Sequence, residues 1–253
     1  MRGALVIAGK DLRNIFASPL FYVIAGVCCI AWTILFIVSV AAFLQPQMQM
    51  MSGADGMNLH FTVFAKHISL VNLVMIFAVA AISMRLFPDE KRQRTFDLLL
   101  TAPVTATDIT LGKLIAGTVT AWALVLVSLL YPLSLVFWGH LDWGPLACSY
   151  IGLLLLVACY VAIDMFTSSL TQSTVVAVIL ALIFNVLLWF LGAAADASES
   201  PLQRQVFEHL NVSTHYVNFL KGNFSVSGLI FFATVVFFFS FLTQRVVEST
   251  RWR

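Results

Sequence analysis

A charged segment of this chain, Pro88 to Leu114, separates two apolar runs that are each long enough to cross a lipid bilayer. The segment reads PDEKRQRTFDLLLTAPVTATDITLGKL, and one more basic residue, Arg85, comes just before it. Charged side chains are costly in hydrocarbon, and basic residues accumulate on the cytoplasmic side of membrane proteins. We therefore expect the first part of the segment, residues 88–108 and here called the elbow, to lie in the cytosol between two membrane helices.

The elbow has the local signals of two short helices around a break. Pro88 or Asp89 suits the start of the first helix, and Glu90 and Arg94 are spaced four apart, as in a helical ion pair. Phe96 is followed at spacings of three and four by Leu99 and Leu100, so the three apolar side chains would share one helical face. Thr105 to Asp108 has the spacing of a capping box that opens the next helix. A capped, partly apolar cytoplasmic segment of this kind is suited to contact a soluble protein.

The composition excludes a soluble globular domain. Hydrophobic residues make up 60% of the 253 residues, charged residues make up 10%, and the mean hydropathy is +0.95. Since a membrane helix needs about 20 apolar residues, the chain has room for several spans and little else. We predict six spans, at residues 20–44, 67–87, 111–138, 145–170, 175–195 and 226–243.

The distribution of basic residues predicts that both termini are cytoplasmic. Eleven of the 14 Lys and Arg residues lie in the N-terminal segment, the region from Arg85 to Lys113 and the C-terminal tail. Six spans place the other three, Lys66, Arg204 and Lys221, on the outer side.

Two segments outside the spans have the pattern of short helices. Residues 3–17 place a set of apolar side chains on one helical face, which favours a helix in the cytoplasmic interface; the set is Leu5, Ala8, Leu12, Ile15 and Phe16. A simple flanking anchor for the first span is the alternative. Residues 198–222 predict an outer hairpin of two short helices, with a loose solvated loop as the alternative.

No motif for enzyme chemistry is present in the sequence. The Gly112-Lys113 pair lacks the earlier glycine of a phosphate-binding loop, and nucleophile, zinc-protease and dinucleotide motifs are missing. The four cysteines lie in apolar runs without metal-ligand spacing, and a net charge of +2 does not indicate a nucleic-acid partner. We therefore predict no catalytic residues, no metal and no cofactor in this chain, so that any ATP hydrolysis must occur on another polypeptide.

Three polar residues fall inside the predicted spans. Asp164 lies in span four, where a carboxylate could act as a gate, bind a proton, or pair with Arg85 or Lys113; the alternative is that it reaches interfacial water. Asn72 and Asn185 most simply form interhelical hydrogen bonds. Together these three residues are a possible intramembrane polar site.

The elbow sequence FPDEKRQRTFDLLLTAPVTATDITLGKLIAG resembles that of ABC-2 type transporter permeases, with the gliding-motility-associated subfamily as the nearest match. The span-four region LDWGPLACSYIGLLLLVACYVAIDMFTSSLTQSTVVA and the tail RVVESTRW are similar to the same subfamily. The likeness covers nearly the whole chain. Two positions depart from it: Arg94 stands where the subfamily often has glycine, and Asp164 stands where a small residue is usual.

The resemblance implies six transmembrane helices, a cytoplasmic coupling helix within the elbow and an N-terminal helix along the membrane surface at residues 3–17. With the extracytoplasmic helical hairpin that the residues before the last span predict, the expected fold is all-α. The coupling contacts that it implies are Glu90, Arg94, Thr95, Asp97 and Leu98, Leu99 and Leu100 in the elbow, with Ser168, Thr171 and Gln172 in a second, smaller cytoplasmic contact.

The resemblance also implies the partners. The chain would form a homodimer or pair with another permease in the bacterial cytoplasmic membrane, in contact with lipid, and dock two ATP-binding subunits that hold ATP and Mg²⁺. An auxiliary membrane protein with a large extracytoplasmic domain is a further expected partner. The complex would export a substrate, with two alternatives: movement of an extracytoplasmic partner without transport, or an ion-coupled carrier that uses no ATPase.

Overall fold

The computed structural model describes residues 2–44, 60–95, 104–135, 142–196 and 200–251. Within these ranges the chain forms helices and turns and no strands, which confirms the all-α fold. The α-helices are α1 (Arg2–Ala17), α2 (Pro19–Phe43), α3 (Ala65–Ser83), α4 (Pro88–Arg92), α5 (Ala106–Ser128), α6 (Leu130–Ser134), α7 (Trp143–Leu170), α8 (Thr174–Asp196), α9 (Pro201–Leu210), α10 (Val212–Leu220) and α11 (Val226–Arg251). A π-helical turn, His60–Phe64, precedes α3.

Six helical segments among the described residues are long and apolar enough to cross a membrane, as the sequence predicts. They are Pro19–Phe43, Ala65–Arg92, Ala106–Ser134, Trp143–Leu170, Thr174–Leu191 and Val226–Thr250. In the most apolar stretch of α7, 72% of the residues are buried inside the protein, whereas the corresponding stretches of α2, α8 and α11 are only 17–22% buried. Helix α7 is therefore the centre of the bundle, and the apolar faces of α2, α8 and α11 point outward.

The third and sixth spans differ from the predicted segments. Helix α5 runs without interruption from its cap at Thr105, so the expected second short helix of the elbow is the start of the span itself. The helix breaks near Leu129 because Pro132 has no N–H for the carbonyl of Ser128; the hydroxyl of Tyr150 donates to that carbonyl instead, at 3.1 Å. Helix α11 continues past Thr243, the predicted end of span six, to Arg251.

The bundle has two distinct ends. One end, here called the charged end, gathers α1, α4, the start of α5 and the last turns of α7 and α11. An apolar cluster holds these parts together, and it consists of Ile7, Leu86, Phe87, Ala106, Ile109, Met165 and Val247. The π-helical turn, α9 and α10 lie at the other end, here called the opposite end.

Helix α10 is packed into the opposite end of the bundle. The Phe219 ring is fully buried against Gly152 of α7, where an added Cβ would lie 2.4 Å from the Phe219 Cβ. The carbonyl of Leu220 lies 3.0 Å from Nε2 of His60 and 3.3 Å from the hydroxyl of Ser149. A side chain at position 152 would therefore displace α10, so only glycine permits this approach.

Candidate functional site

Helix α1 lies directly on the start of α5. A Cβ at Gly112 would be 2.8 Å from the carbonyl oxygen of Ala4 and 2.8 Å from the Cβ of Ile7, so any larger residue would push the two helices apart. The buried face of α1 consists of Ala4, Ile7, Ala8 and Asp11, at spacings of three and four. This close approach places the polar residues in the middle of α1 beside the residue that follows Gly112.

The residue after Gly112 is Lys113, which is a fully buried cation. Its side chain is 1% exposed, and Nζ lies 2.7 Å from Oε2 of Glu90 and 3.2 Å from Oδ2 of Asp11. Nζ also donates to the carbonyl of Leu86 and lies 5.0 Å from the centre of the Phe87 ring. A buried lysine needs compensation of this kind, because leaving a buried charge unpaired costs about 3–5 kcal/mol.

Glu90 connects this lysine to a second one. Its Oε1 accepts from Nζ of Lys10 at 2.8 Å, and the Glu90 side chain is only 15% exposed. Burial acts to lower the pKa of Lys10, but the hydrogen bond and the negative charge of Glu90 more than offset it and raise that pKa. Lys10, Asp11, Glu90 and Lys113 are here called the ion cluster, and they join α1, α4 and α5.

The expected helical pair between Glu90 and Arg94 does not form. Helix α4 ends at Arg92, and Arg94 has φ of 55°, in the left-handed region that favours glycine. The side chains of Glu90 and Arg94 therefore do not share a helical face, and Glu90 pairs with the lysines instead. The strained position is the same one at which the resemblance leads us to expect glycine.

The elbow contacts the end of α7 on its other side. Nζ of Lys91 donates to the carbonyl of Ser169. The residues that follow, Arg92 to Thr95, are exposed, and so is Gln172 in the α7–α8 link. The elbow and the link, which the resemblance treats as two separate contacts, thus lie side by side at the charged end.

The residues predicted for coupling have different environments. Glu90 faces the bundle, Arg94 and Thr95 are exposed, and Asp97 with Leu98, Leu99 and Leu100 lies outside the described residues. In the link, Ser168 is fully buried and donates to the carbonyl of Met165 at 2.9 Å, whereas Thr171 is partly exposed and its hydroxyl caps the N–H of Ser173. A protein docked here would reach Thr171 and Gln172 but not Ser168.

The start of α5 is fixed by a capping box, as the sequence predicts. The N–H of Asp108 donates to the hydroxyl of Thr105 at 3.1 Å, and a carboxylate oxygen of Asp108 accepts from the backbone N–H of Thr105 at 3.3 Å. The cap satisfies the first N–H groups of the helix that carries Lys113. The beginning of α5 is therefore ordered by its own residues as well as by α1.

The three intramembrane polar residues lie between α3, α7 and α8. Oδ1 of Asp164 accepts from the side-chain amide of Asn185 at 2.8 Å. Asn72 accepts from the hydroxyl of Tyr160 at 3.1 Å, and Tyr160 in turn accepts from the indole N–H of Trp189 at 2.6 Å. Two interhelical hydrogen-bonded groups, one turn apart on α7, thus connect the centre of the bundle to its neighbours.

Two expectations for Asp164 are wrong. Lys113 pairs with Asp11 and Glu90, and Nε of Arg85 lies 4.0 Å from Oδ2 of Asp89; within the described residues neither cation forms an ion pair with Asp164. The side chain also does not reach interfacial water, because the residue is 1% exposed. Asp164 instead accepts a hydrogen bond from the neutral side-chain amide of Asn185.

Lys10 and Asp11 were not predicted as members of the site. The face predicted to lie in the membrane interface is also not the one that packs on α5: Leu5 is 65% exposed, whereas Ala4 and Ile7 are buried beside Gly112. The interfacial placement of α1 stays a prediction. One signal was available: Asp11 continues the spacing of Ala4 and Ile7, and a carboxylate on a buried face requires a partner. Among the described residues, no three His, Cys, Asp or Glu side chains lie close enough together to hold a metal ion.

Comparison with known proteins identifies the family. The family described as ABC-2 family transporter protein matches residues 5–222, which include most of α1, the elbow, the ion cluster and α10. No curated protein matches the chain. The narrower resemblance to the gliding-motility-associated group stays a prediction. Because the match covers most of the sequence, this chain belongs to the ABC-2 transporter family, whose members are the membrane subunits of ABC transporters.

Proposed function

We propose that ATP-binding subunits dock at the charged end of this membrane subunit and drive its spans through the ion cluster. The supporting observation is that Glu90, on the short helix that leads into the exposed residues Arg92 to Thr95, is paired with a buried lysine on α5. The docked subunit would contact the exposed part of the elbow together with Thr171 and Gln172. Force applied there passes through Glu90 to Lys113 and Lys10.

The ion cluster is suited to transmit movement because it is difficult to break. Separating Glu90 from Lys113 would take from a buried lysine the closer of its two carboxylates, at 2.7 Å against 3.2 Å for Asp11, in a place where water does not replace the lost contact. Over small displacements α4 therefore moves together with α5, and α1 follows through Lys10 and Asp11. The contact between Lys91 and the carbonyl of Ser169 extends the same movement to the end of α7.

The sequence supports the proposed orientation, and the family supports the proposed partners. In the sequence, 11 of the 14 basic residues belong to the N-terminal segment, the region from Arg85 to Lys113 and the C-terminal tail, which supports a cytoplasmic location for the charged end and for both termini in a bacterial inner membrane. ATP and Mg²⁺ bind the partner subunits, and two permease chains, alike or different, form the membrane part. An auxiliary protein with an extracytoplasmic domain would contact the opposite end, where α9 and α10 lie.

Movement of the spans can serve two purposes. In an exporter, the spans open a path for a substrate along the seam between two permease chains. In a mechanical transmitter, they move the extracytoplasmic partner and nothing crosses the membrane. The exporter requires a continuous polar or lipid-accessible cavity along the seam of the assembled dimer, whereas a sealed apolar seam favours the transmitter.

The variant Glu90→Gln tests the proposed coupling. It keeps the shape of the side chain and removes its charge, and Lys113 retains Asp11. Glu90→Lys is a poorer choice, because it adds a third cation beside Lys10 and Lys113. In the complex purified with its ATP-binding subunits, we expect Glu90→Gln to retain those subunits and their ATP hydrolysis.

The readout is an ATP-dependent change at the far side of the molecule. We would place a cysteine at Phe224, which is exposed at the opposite end, and measure its labelling rate with and without ATP. The chain with this cysteine alone should show a labelling rate that depends on ATP, and Glu90→Gln should abolish that dependence. The control Lys66→Gln should preserve it, because Lys66 is exposed at the opposite end and lies outside the ion cluster. An undiminished ATP effect in Glu90→Gln would contradict transmission through the ion cluster, and loss of the bound subunits would assign Glu90 to docking instead.

An ion-coupled carrier without an ATPase is the second alternative, and only the buried Asp164 favours it. Reconstitution of this chain alone into vesicles decides between the two. Ion-driven substrate flux in the absence of any ATP-binding subunit would contradict the ATP-coupled function.

A further inference from the structure

A cavity lies beside the ion cluster, between α1, the beginning of α2, the end of α3 and α4. Its volume is about 380 Å³, which is in the range of small-molecule and cofactor sites, about 300–1,000 Å³. One wall is apolar and the other is charged. The apolar wall includes Leu20, Phe21 and Ile24 of α2 and Ile82 of α3.

The position of the cavity corresponds to the edge of the membrane. Leu20 and Phe21 are in the first turn of α2, and Ile82 is in the last turn of α3, so the apolar wall is made by the ends of two spans. The charged wall continues beyond these ends into α4. An amphipathic molecule lying at the boundary between hydrocarbon and water would match both walls.

The charged wall offers both signs. Nε of Arg85 and Oδ2 of Asp89 are 4.0 Å apart, and their side chains are 44% and 29% exposed, so each charge has room for an additional partner. Lys10 adds a second accessible cation, and Asp11 adds a carboxylate. Because acidic and basic groups alternate along this wall, it suits a zwitterion better than a simple anion.

We propose that this cavity binds a phospholipid whose headgroup carries both a phosphate and a primary amine, as phosphatidylethanolamine does. The phosphate lies against Arg85 and Lys10, the ammonium donates to Asp89, and an acyl chain follows the apolar wall between α2 and α3. A choline headgroup has no N–H to donate to Asp89, and a glycerol headgroup brings no additional cation to that carboxylate. A lipid bound here contacts α1, α2, α3 and α4, and it supports the ion cluster from the membrane side.

The test is the thermal stability of the purified, delipidated chain in detergent after addition of single lipids. A molecule that binds the folded state raises the unfolding midpoint, and the effect grows with its concentration. We expect phosphatidylethanolamine to raise the midpoint in a saturable manner, and phosphatidylcholine and phosphatidylglycerol with the same acyl chains to have at most a small effect. Soluble phosphoethanolamine tests whether the headgroup alone is sufficient, and it should fail at the same concentration.

Variants assign the effect to the cavity. Arg85→Gln and Asp89→Asn should each reduce the response to phosphatidylethanolamine. The control is Arg92→Gln, which should retain the response because Arg92 is exposed at the end of α4 and does not line the cavity. Ile82→Trp, which fills the apolar wall, offers a test that leaves every charge in place and should also reduce the response. Equal stabilisation by all three lipids, stabilisation by phosphoethanolamine alone, or an unchanged response in both Arg85→Gln and Ile82→Trp would overturn the proposal.

Discussion

Replacing Lys113 with methionine should be among the most destabilising single changes at the charged end. Methionine keeps most of the length of the side chain but removes the ammonium that contacts Glu90 at 2.7 Å and Asp11 at 3.2 Å. Glu90 keeps Lys10, but Asp11, with its side chain 9% exposed, loses the ammonium with which it forms an ion pair. Removing one partner of a buried ion pair costs about 3–5 kcal/mol, and we expect Lys113→Met to fall in that range.

The assay is unfolding of the purified chain in mixed micelles, with two companion variants. Lys10→Met removes a lysine whose side chain is 49% exposed and should cost only about 0–1 kcal/mol, as surface ion pairs do. Adding Asp11→Asn to Lys113→Met should recover part of the loss, because the double variant no longer buries an unpaired carboxylate at that position. If Lys113→Met costs no more than Lys10→Met, the ion cluster does not hold the charged end together.

Three further substitutions test other parts of the structure. In thermal unfolding, Gly152→Ala should destabilise the chain by about 1–3 kcal/mol, because the added Cβ would lie 2.4 Å from the Cβ of Phe219. The control Gly144→Ala, on the same helix, should be nearly neutral because a Cβ there has no neighbour within 4 Å. Arg94→Gly should be more stable than Arg94→Ala by about 1 kcal/mol in the same assay, since only glycine relieves the positive φ. Asp164→Ala should lower the unfolding midpoint more than Asp164→Asn, because alanine leaves the side-chain amide of Asn185 without its acceptor, at a cost of about 1–3 kcal/mol. Equal midpoints would refute that hydrogen bond.

The membrane fold could be predicted from the sequence because its signals are local. Apolar runs of about 20 residues, separated by charged or polar segments, specify spans without reference to any other part of the chain. The capping box at Thr105 and the proline that opens α2 are likewise read from neighbouring residues. The break in α5 was missed, although Pro132 marks it, because the apolar run continues past the proline.

The ion cluster could not be predicted because it depends on contacts between distant parts of the chain. Nothing near Lys113 in the sequence indicates that α1 approaches at Gly112, so Lys10 and Asp11 had no visible connection to the elbow. The periodicity of α1 also has two possible apolar faces, and packing against α5 selects the one with Asp11. Glu90 was singled out both by its spacing to Arg94 and by the family resemblance, but neither indicated that its partners are Lys10 and Lys113.

The most direct measurement is whether the elbow can be labelled from the cytoplasmic side of the membrane and whether a bound ATP-binding subunit protects it. A cysteine at Gln93, which is exposed, can be labelled with a membrane-impermeant maleimide in intact cells and in inverted membrane vesicles, with the unsubstituted chain as the background control. We predict labelling in inverted vesicles only, and protection when the ATP-binding subunit is bound. Labelling from the outside of intact cells, or full labelling in the presence of the bound subunit, would contradict a cytoplasmic elbow driven by that subunit.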